Sequence, residues 1–165
     1  PVALFAGSYH YRPNADALHC LLTTLAPDLA RRCPELTIAF VGPGLPPLNS
    51  PPHNVIAIGE VEDVVPYLQA ADFFLCPLRF GGGSRLKIIE ALACGLPVLS
   101  TDAGAEGLED LGEESGLFRA PLATLADRVA TWLDTGLPCT SHSGAMQAYT
   151  QASIAQATRA FVQTL

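Results

Sequence analysis

Basic side chains are scarce in this sequence. Nine lysines and arginines face sixteen aspartates and glutamates, giving a net charge of -7 and an isoelectric point near 4.9, and Lys87 is the sole lysine. That balance argues against nucleic acid or an anionic membrane as the main partner. Long apolar runs are missing too: nothing approaches the roughly 18 consecutive apolar residues of a membrane span. The opening Pro1-Val-Ala-Leu-Phe-Ala-Gly7 has no basic leader of the secretory kind, so a cytoplasmic location is expected. Cysteine is present without a framework: Cys20, Cys33, Cys76, Cys94 and Cys139 are odd in number, widely spaced and free of any C-x-x-C pair. Neither a zinc ribbon nor a disulfide scaffold follows, and reduced thiols fit best. The four histidines lack ligand spacing to one another or to cysteine, and no carboxylate pair is placed to hold a metal. Neither G-x-S-x-G nor the P-loop pattern G-x-x-x-x-G-K-S/T occurs, so serine-hydrolase and P-loop chemistry have no footing.

What the chain does have is apolar content, 49% of 165 residues, which suffices for one domain with a substantial core. Val2 to Ala6 and Leu36 to Val41 are nearly unbroken apolar runs, closed by Gly7-Ser8 and Gly42-Pro43-Gly44, and read as buried strands. Between them Ala17, Leu18, Leu21, Leu22, Leu25 and Leu29 recur at helical spacing, with Asn14 as the expected cap and Pro27 as the expected break. Further strands are expected at Val55 to Ile58, Asp72 to Pro77, Pro97 to Thr101 and Gly116 to Arg119. Helices are expected at Val64 to Ala71, Ser84 to Cys94, Leu122 to Thr135 and Ser143 to Leu165. Strands apolar on both faces and alternating with helices imply an α/β domain, a doubly wound parallel sheet of Rossmann-like type with strand order 3-2-1-4-5-6. Ligands in such sheets bind beyond the carboxyl ends of the strands. The chain opens directly on a strand without Met, so it is expected to be a piece of a longer polypeptide.

The strongest local signal is Pro77-Leu-Arg-Phe-Gly-Gly-Gly-Ser-Arg-Leu-Lys-Ile-Ile-Glu90: a strand end, three glycines, then a helix. Arg79, Arg85 and Lys87 fall within nine residues that contain no acid, while the rest of the chain holds 6 basic and 16 acidic side chains. Glycines let main-chain N–H groups approach an anion, and the helix start points its positive end at the same place, which together make a phosphate-binding design. Glu90, about 40° round a helical wheel from Leu86 and about 60° from Ala93, is placed to accept hydrogen bonds from vicinal sugar hydroxyls. The plainer alternative is a flexible connection with Lys87 and Glu90 as a surface helix pair. Val61 and Glu62, just after Gly59, read as a strand-to-helix connection. Tyr9, His10 and Arg12 make a polar loop at a strand end that either meets a diphosphate or is solvated, and Glu106, in the acidic loop Asp102 to Ser115, either reaches the ligand cleft or stands as an exposed acid of a glycine turn.

The run Gly81 to Thr101, followed by Gly104-Ala-Glu-Gly-Leu108, resembles the donor half of GT-B glycosyltransferases, family 4 in particular (glycosyl transferases group 1). The similarity extends upstream through Phe5 to Asn14, Val41-Gly-Pro-Gly44 and Gly59 to Asp72. The resemblance implies a C-terminal, nucleotide-sugar-binding domain spanning residues 1–165 of a metal-independent, retaining hexosyl- or glycosyltransferase, with the N-terminal acceptor-binding domain absent from this chain. It implies no cofactor beyond the substrate, a UDP- or GDP-linked sugar. Glu90 occupies the second position of the family's E-x7-E motif, which holds the nucleotide ribose, whereas the first glutamate is replaced by Gly82. The arginine and lysine of the G-R-x-x-x-x-K stretch are replaced by Ser8 and Pro13, leaving Arg12 as the nearest cation.

The expected donor-binding set is therefore Gly82, Gly83, Ser84, Arg85, Leu86, Lys87, Glu90, Arg12 and Val61, with Arg85 and Lys87 as the catalytic cations that replace the lost ones. The three departures from the family pattern keep a second reading open, a non-catalytic nucleotide-binding or interaction module of the same fold. A third, nucleotide-sugar epimerisation, would need acid and base groups that are not evident.

Overall fold

The computed structural model describes residues 1–138; Cys139 and the helix expected from Ser143 lie outside the described residues. Six strands, β1 (Val2–Ala6), β2 (Thr37–Val41), β3 (Val55–Gly59), β4 (Phe73–Cys76), β5 (Val98–Ser100) and β6 (Leu117–Arg119), form one sheet in the order β3-β2-β1-β4-β5-β6. Every neighbouring pair is parallel. This is the topology expected from the sequence, and it places the reversal of strand order between β1 and β4.

Parallel strands need cover on both faces. Accordingly β1, β2, β4 and β5 are almost wholly buried. Phe5 packs among Phe40 and Phe74 at ring separations of 6.5 and 6.4 Å. Successive side chains of a strand point to opposite faces, so Phe73 faces the other layer. There it meets Trp132 edge-on at 5.7 Å, and Trp132 in turn meets Phe118 at 5.0 Å. The helical layers are α1 (Arg12–Cys20), α2 (Ala26–Arg32), α3 (Val65–Ala70), α4 (Leu86–Ala93) and α5 (Leu125–Thr135). No helix among the described residues is long and apolar enough to cross a membrane.

Three helix starts differ from expectation: α5 begins at Leu125 and not at Leu122, behind a 3-10 turn over Leu122–Thr124, and the starts of α1 and α4 are displaced as well. α1 begins at Arg12 behind the extended Tyr11, with Pro13 in its first turn, where the fixed φ of proline suits the helix and its missing N–H leaves nothing unpaired. Asn14 is therefore inside the first turn and buried, not at the cap. α4 begins at Leu86 instead of Ser84, because Arg85 adopts the left-handed conformation with φ 53°. The break expected at Pro27 takes the form of a π turn over Leu21–Leu25, which joins α1 to α2 and sets Pro27 in the first turn of α2, where no donor is required.

Trp132 is 5% exposed and joins α5 to two strands through its edge contacts. Trp132→Ala is expected to lower unfolding free energy by about 3–5 kcal/mol, and Trp132→Phe by clearly less. Urea denaturation followed by circular dichroism measures both.

Candidate functional site

At the carboxyl ends of β1, β2 and β3 lies a cleft of about 260 Å³. It is lined by the turns at 6–8 and 41–43, by Val61, Glu62 and Val64 ahead of α3, and by Lys87 and Glu90 of α4. Two glycines bring the turns together. Gly7 N–H donates to the Val41 carbonyl at 3.0 Å, and Gly42 N–H donates to the Gly59 carbonyl at 2.7 Å. A Cβ on Gly42 (φ +133°) would stand 2.1 Å from the Gly7 oxygen. One on Gly7 (φ +154°) would stand 2.7 Å from Asn14 Nδ2 and 2.8 Å from Lys87 Nζ. Only the missing side chains let these main chains and the lysine head meet.

Lys87 donates from Nζ to Asn14 Oδ1, and its ammonium lies 4.8 Å from the centroid of the Phe5 ring. Asn14 in turn donates from Nδ2 to the Ser8 carbonyl at 2.7 Å. Partial burial lowers the pKa of Lys87, only an ionised Cys76 would work against that shift, and the charge of Arg85 adds to it. Of the three cations in the 79–87 segment, Lys87 is the one without a carboxylate partner among the described residues. Arg79 is bound by Asp16 through Nε at 2.8 Å, with a second contact through Nη2. Glu90, one turn beyond Lys87, has its carboxyl pushed above the usual range by partial desolvation.

Arg85 departs from expectation. Its side chain is only 5% exposed, and Nη2 donates to the carbonyls of Gly81 (2.6 Å) and Ala103 (2.8 Å) and to Glu106 Oε2 (3.0 Å). Nε and Nη1 reach the Glu106 and Gly82 carbonyls at 3.3 Å. The guanidinium faces inward as a latch between the glycine loop and the turn after β5, and it does not line the cleft. The left-handed backbone at Arg85 is what aims the side chain that way. Glu106 is thereby accounted for as its partner.

The remaining expected residues also lie apart from this cleft. Gly82, Gly83 and Ser84 form an exposed loop beside it, pinned by the Tyr11 hydroxyl donating to the Gly82 carbonyl at 3.0 Å. Gly83 needs its glycine for φ +111°, whereas a Cβ at Gly82 would meet nothing within 4 Å. Arg12 stacks over the Phe80 ring at 5.9 Å. Leu86 is 47% exposed, and Ala93 is exposed as well, so the wheel argument for Glu90 used the wrong reference face. The buried stripe of α4 is Ile88, Ile89, Ala91 and Leu92, which leaves Lys87 and Glu90 for the cleft. Lys87, Glu90 and Val61 thus come together with Glu62. Sequence reasoning took Asn14 for a helix cap and missed its place beside Lys87, and it gave Gly7 and Gly42 no role in the site beyond ending their strands and lying in segments of family resemblance, although a glycine directly after a buried strand was the available signal. No group of three or more His, Cys, Asp or Glu among the described residues is placed to hold a metal ion.

The fold that carries this cleft is shared with known proteins. The chain is similar to the lipopolysaccharide core biosynthesis mannosyltransferase LpsB of Rhizobium meliloti (strain 1021), 34% identical over 85 residues, which is 49% of this chain and 24% of that protein. Among solved structures it resembles sucrose-phosphate synthase from Thermosynechococcus elongatus, with a TM-score of 0.69 at 19% identity, covering 100% of this chain and 46% of that one. It also resembles Anabaena HepE in complex with UDP-glucose, with a TM-score of 0.66 at 23% identity over 99% of this chain and 48% of the other. A third likeness is to the C-terminal domain of a glycosyl transferase group 1 family protein (LpcC) from Francisella tularensis, with a TM-score of 0.57, 18% identity and coverage of 81% and 74%. The chain spans about a quarter of the curated relative and just under half of the first two structures. The model of the glycosyl transferases group 1 family matches residues 1–135, from the first strand to the last residue of α5, and the chain belongs to that family.

Proposed function

We propose that this chain is the donor-binding half of a retaining, metal-independent glycosyltransferase, and that its cleft takes the nucleotide diphosphate of the donor sugar. The observation that carries this reading is the pairing, in one cleft at the strand ends, of an ammonium without a carboxylate partner among the described residues and a carboxylate one helical turn away. Glu90 accepts hydrogen bonds from the ribose hydroxyls. Val61 and Glu62 meet the base, and Lys87 meets the diphosphate together with the N-terminal end of α4. As the bond to the sugar breaks, negative charge grows on the leaving diphosphate. A fixed cation in a partly desolvated cleft stabilises that charge without reorganising at the moment of reaction. The complex of HepE with UDP-glucose supports the substrate class. The acceptor-binding half is supplied from outside this chain, in keeping with its coverage of just under half of the first two solved relatives.

Gly82 favours a second reading, a nucleotide-binding module that transfers no sugar, because the resemblance places a glutamate there. Donor hydrolysis or transfer by the protein joined to its acceptor half separates the two.

Calorimetric titration with UDP, GDP and their nucleosides tests the donor site. One diphosphate is expected to bind. Lys87→Ala should weaken the diphosphate about 10- to 100-fold, the loss of a charge-assisted hydrogen bond, and leave the nucleoside unchanged. Glu90→Gln should weaken nucleoside and diphosphate alike. Absence of any binding would overturn the reading. Arg85→Ala separates the latch from the ligand site: it is expected to lower stability by about 2 kcal/mol, since buried carbonyls lose their donor, and to reduce diphosphate affinity less than Lys87→Ala does. Denaturation and titration of the same variant check the pair of effects.

A further inference from the structure

Asn14 is 4% exposed and both ends of its amide are engaged, Nδ2 with the Ser8 carbonyl and Oδ1 with Lys87 Nζ. Turning the amide over would set its oxygen against the Ser8 oxygen, so the hydrogen-bond pattern fixes Oδ1 toward the ammonium. The ammonium is therefore confined by Asn14 Oδ1, by the face of Phe5, and by the main chain of Gly7, where a Cβ would stand 2.8 Å from Nζ. None of these three carries negative charge. Asn14 lies in the first turn of α1 and Lys87 in the first turn of α4, so their bond ties together the two helices that follow β1 and β4, on either side of the strand-order reversal.

We propose that Asn14 is a positioning residue for Lys87, fixing its ammonium at the diphosphate end of the cleft through a neutral acceptor so that the whole positive charge stays available to the donor's anion. The inference rests on the donor-site reading above. A carboxylate at position 14 would hold Nζ as firmly but neutralise it. A small apolar residue would release it to swing on its four-carbon stem. The other ionisable groups near Lys87 are Arg85 just before α4, Cys76 at the end of β4, and Glu90 and Glu62 in the cleft lining. Burial keeps Cys76 a thiol. Neither glutamate forms an ion pair with Nζ.

Because Lys87 is the sole lysine, lysine labelled with ¹³C at Cε gives one side-chain resonance that reports on this group alone. In the unaltered chain that resonance should show cross-relaxation to the Asn14 amide and Phe5 ring protons. It should titrate below an ordinary lysine, and it should titrate higher once UDP or GDP is bound. In Asn14→Asp the free chain should titrate at higher pH than the unaltered one, while diphosphate affinity falls about tenfold or more and nucleoside affinity holds. Asn14→Ala should lose comparable affinity without the upward titration shift. A merely structural role would weaken the nucleoside along with the diphosphate. If both variants bind UDP and GDP as the unaltered chain does, while Lys87→Ala does not, the inference is overturned and the donor site stands. If the unaltered chain binds neither diphosphate, both fail. Absence of cross-relaxation between Lys87 and Asn14 in the unaltered chain overturns the inference even where a variant does not fold.

Discussion

The close passage of two main chains, the turn after β1 and the turn after β2, governs what this cleft can contain. With a Cβ on Gly42 only 2.1 Å from the Gly7 oxygen, any side chain there would push the turns apart. Their approach lets Asn14 and Lys87 reach the Gly7 backbone, and so lets a cation stand at the head of the sheet with no carboxylate paired to it among the described residues. A parallel sheet makes this economical. Its crossovers bring every strand-to-helix turn to the same edge, so residues far apart in sequence meet without any specialised element.

The distribution of charge follows from the same arrangement. Three cations close together in an acidic protein look equivalent on paper, yet the fold treats each differently. Arg79 is matched by Asp16 at the surface, and Arg85 is turned inward onto main-chain carbonyls and Glu106. Lys87 is met by a neutral amide and an aromatic face. Arginine suits the latch because its planar fork satisfies several carbonyls at once. Lysine suits the cleft as a compact point charge on a flexible stem.

Most of the architecture was legible in the sequence because buried parallel strands announce themselves as apolar runs closed by glycine. The first three strands end that way, β4 to β6 show as short apolar runs without the glycine, and the order follows from their alternation with helices. Less of the site could be read. Lys87, Glu90 and Val61 were identifiable from segment charge and from the family resemblance. The inward turn of Arg85 depends on a single left-handed residue that no spacing reveals. Asn14 looked like a cap because its type favours helix starts, but Pro13 moved the start upstream and freed its amide for Lys87. Leu86 misled for a related reason: the first residue of α4 stands clear of the sheet, so an apolar side chain there does not mark the buried face.

The π turn over Leu21–Leu25 has a consequence for how the connection between β1 and β2 tolerates change. Relative to the α ladder it takes up one extra residue, equivalent to about 100° of helix rotation. Because the extra residue is absorbed within one wide turn, the two anchors on this continuous rod, Asn14 at the cleft and Leu29 in the core, keep the phase that an α-helix one residue shorter would give them. Removing a single residue from the turn would restore the α ladder and leave Asn14 facing Lys87, but it would set Pro27 in a helix interior, where an N–H is required. The length of this connection is thus constrained by its proline more than by the angle between its anchors.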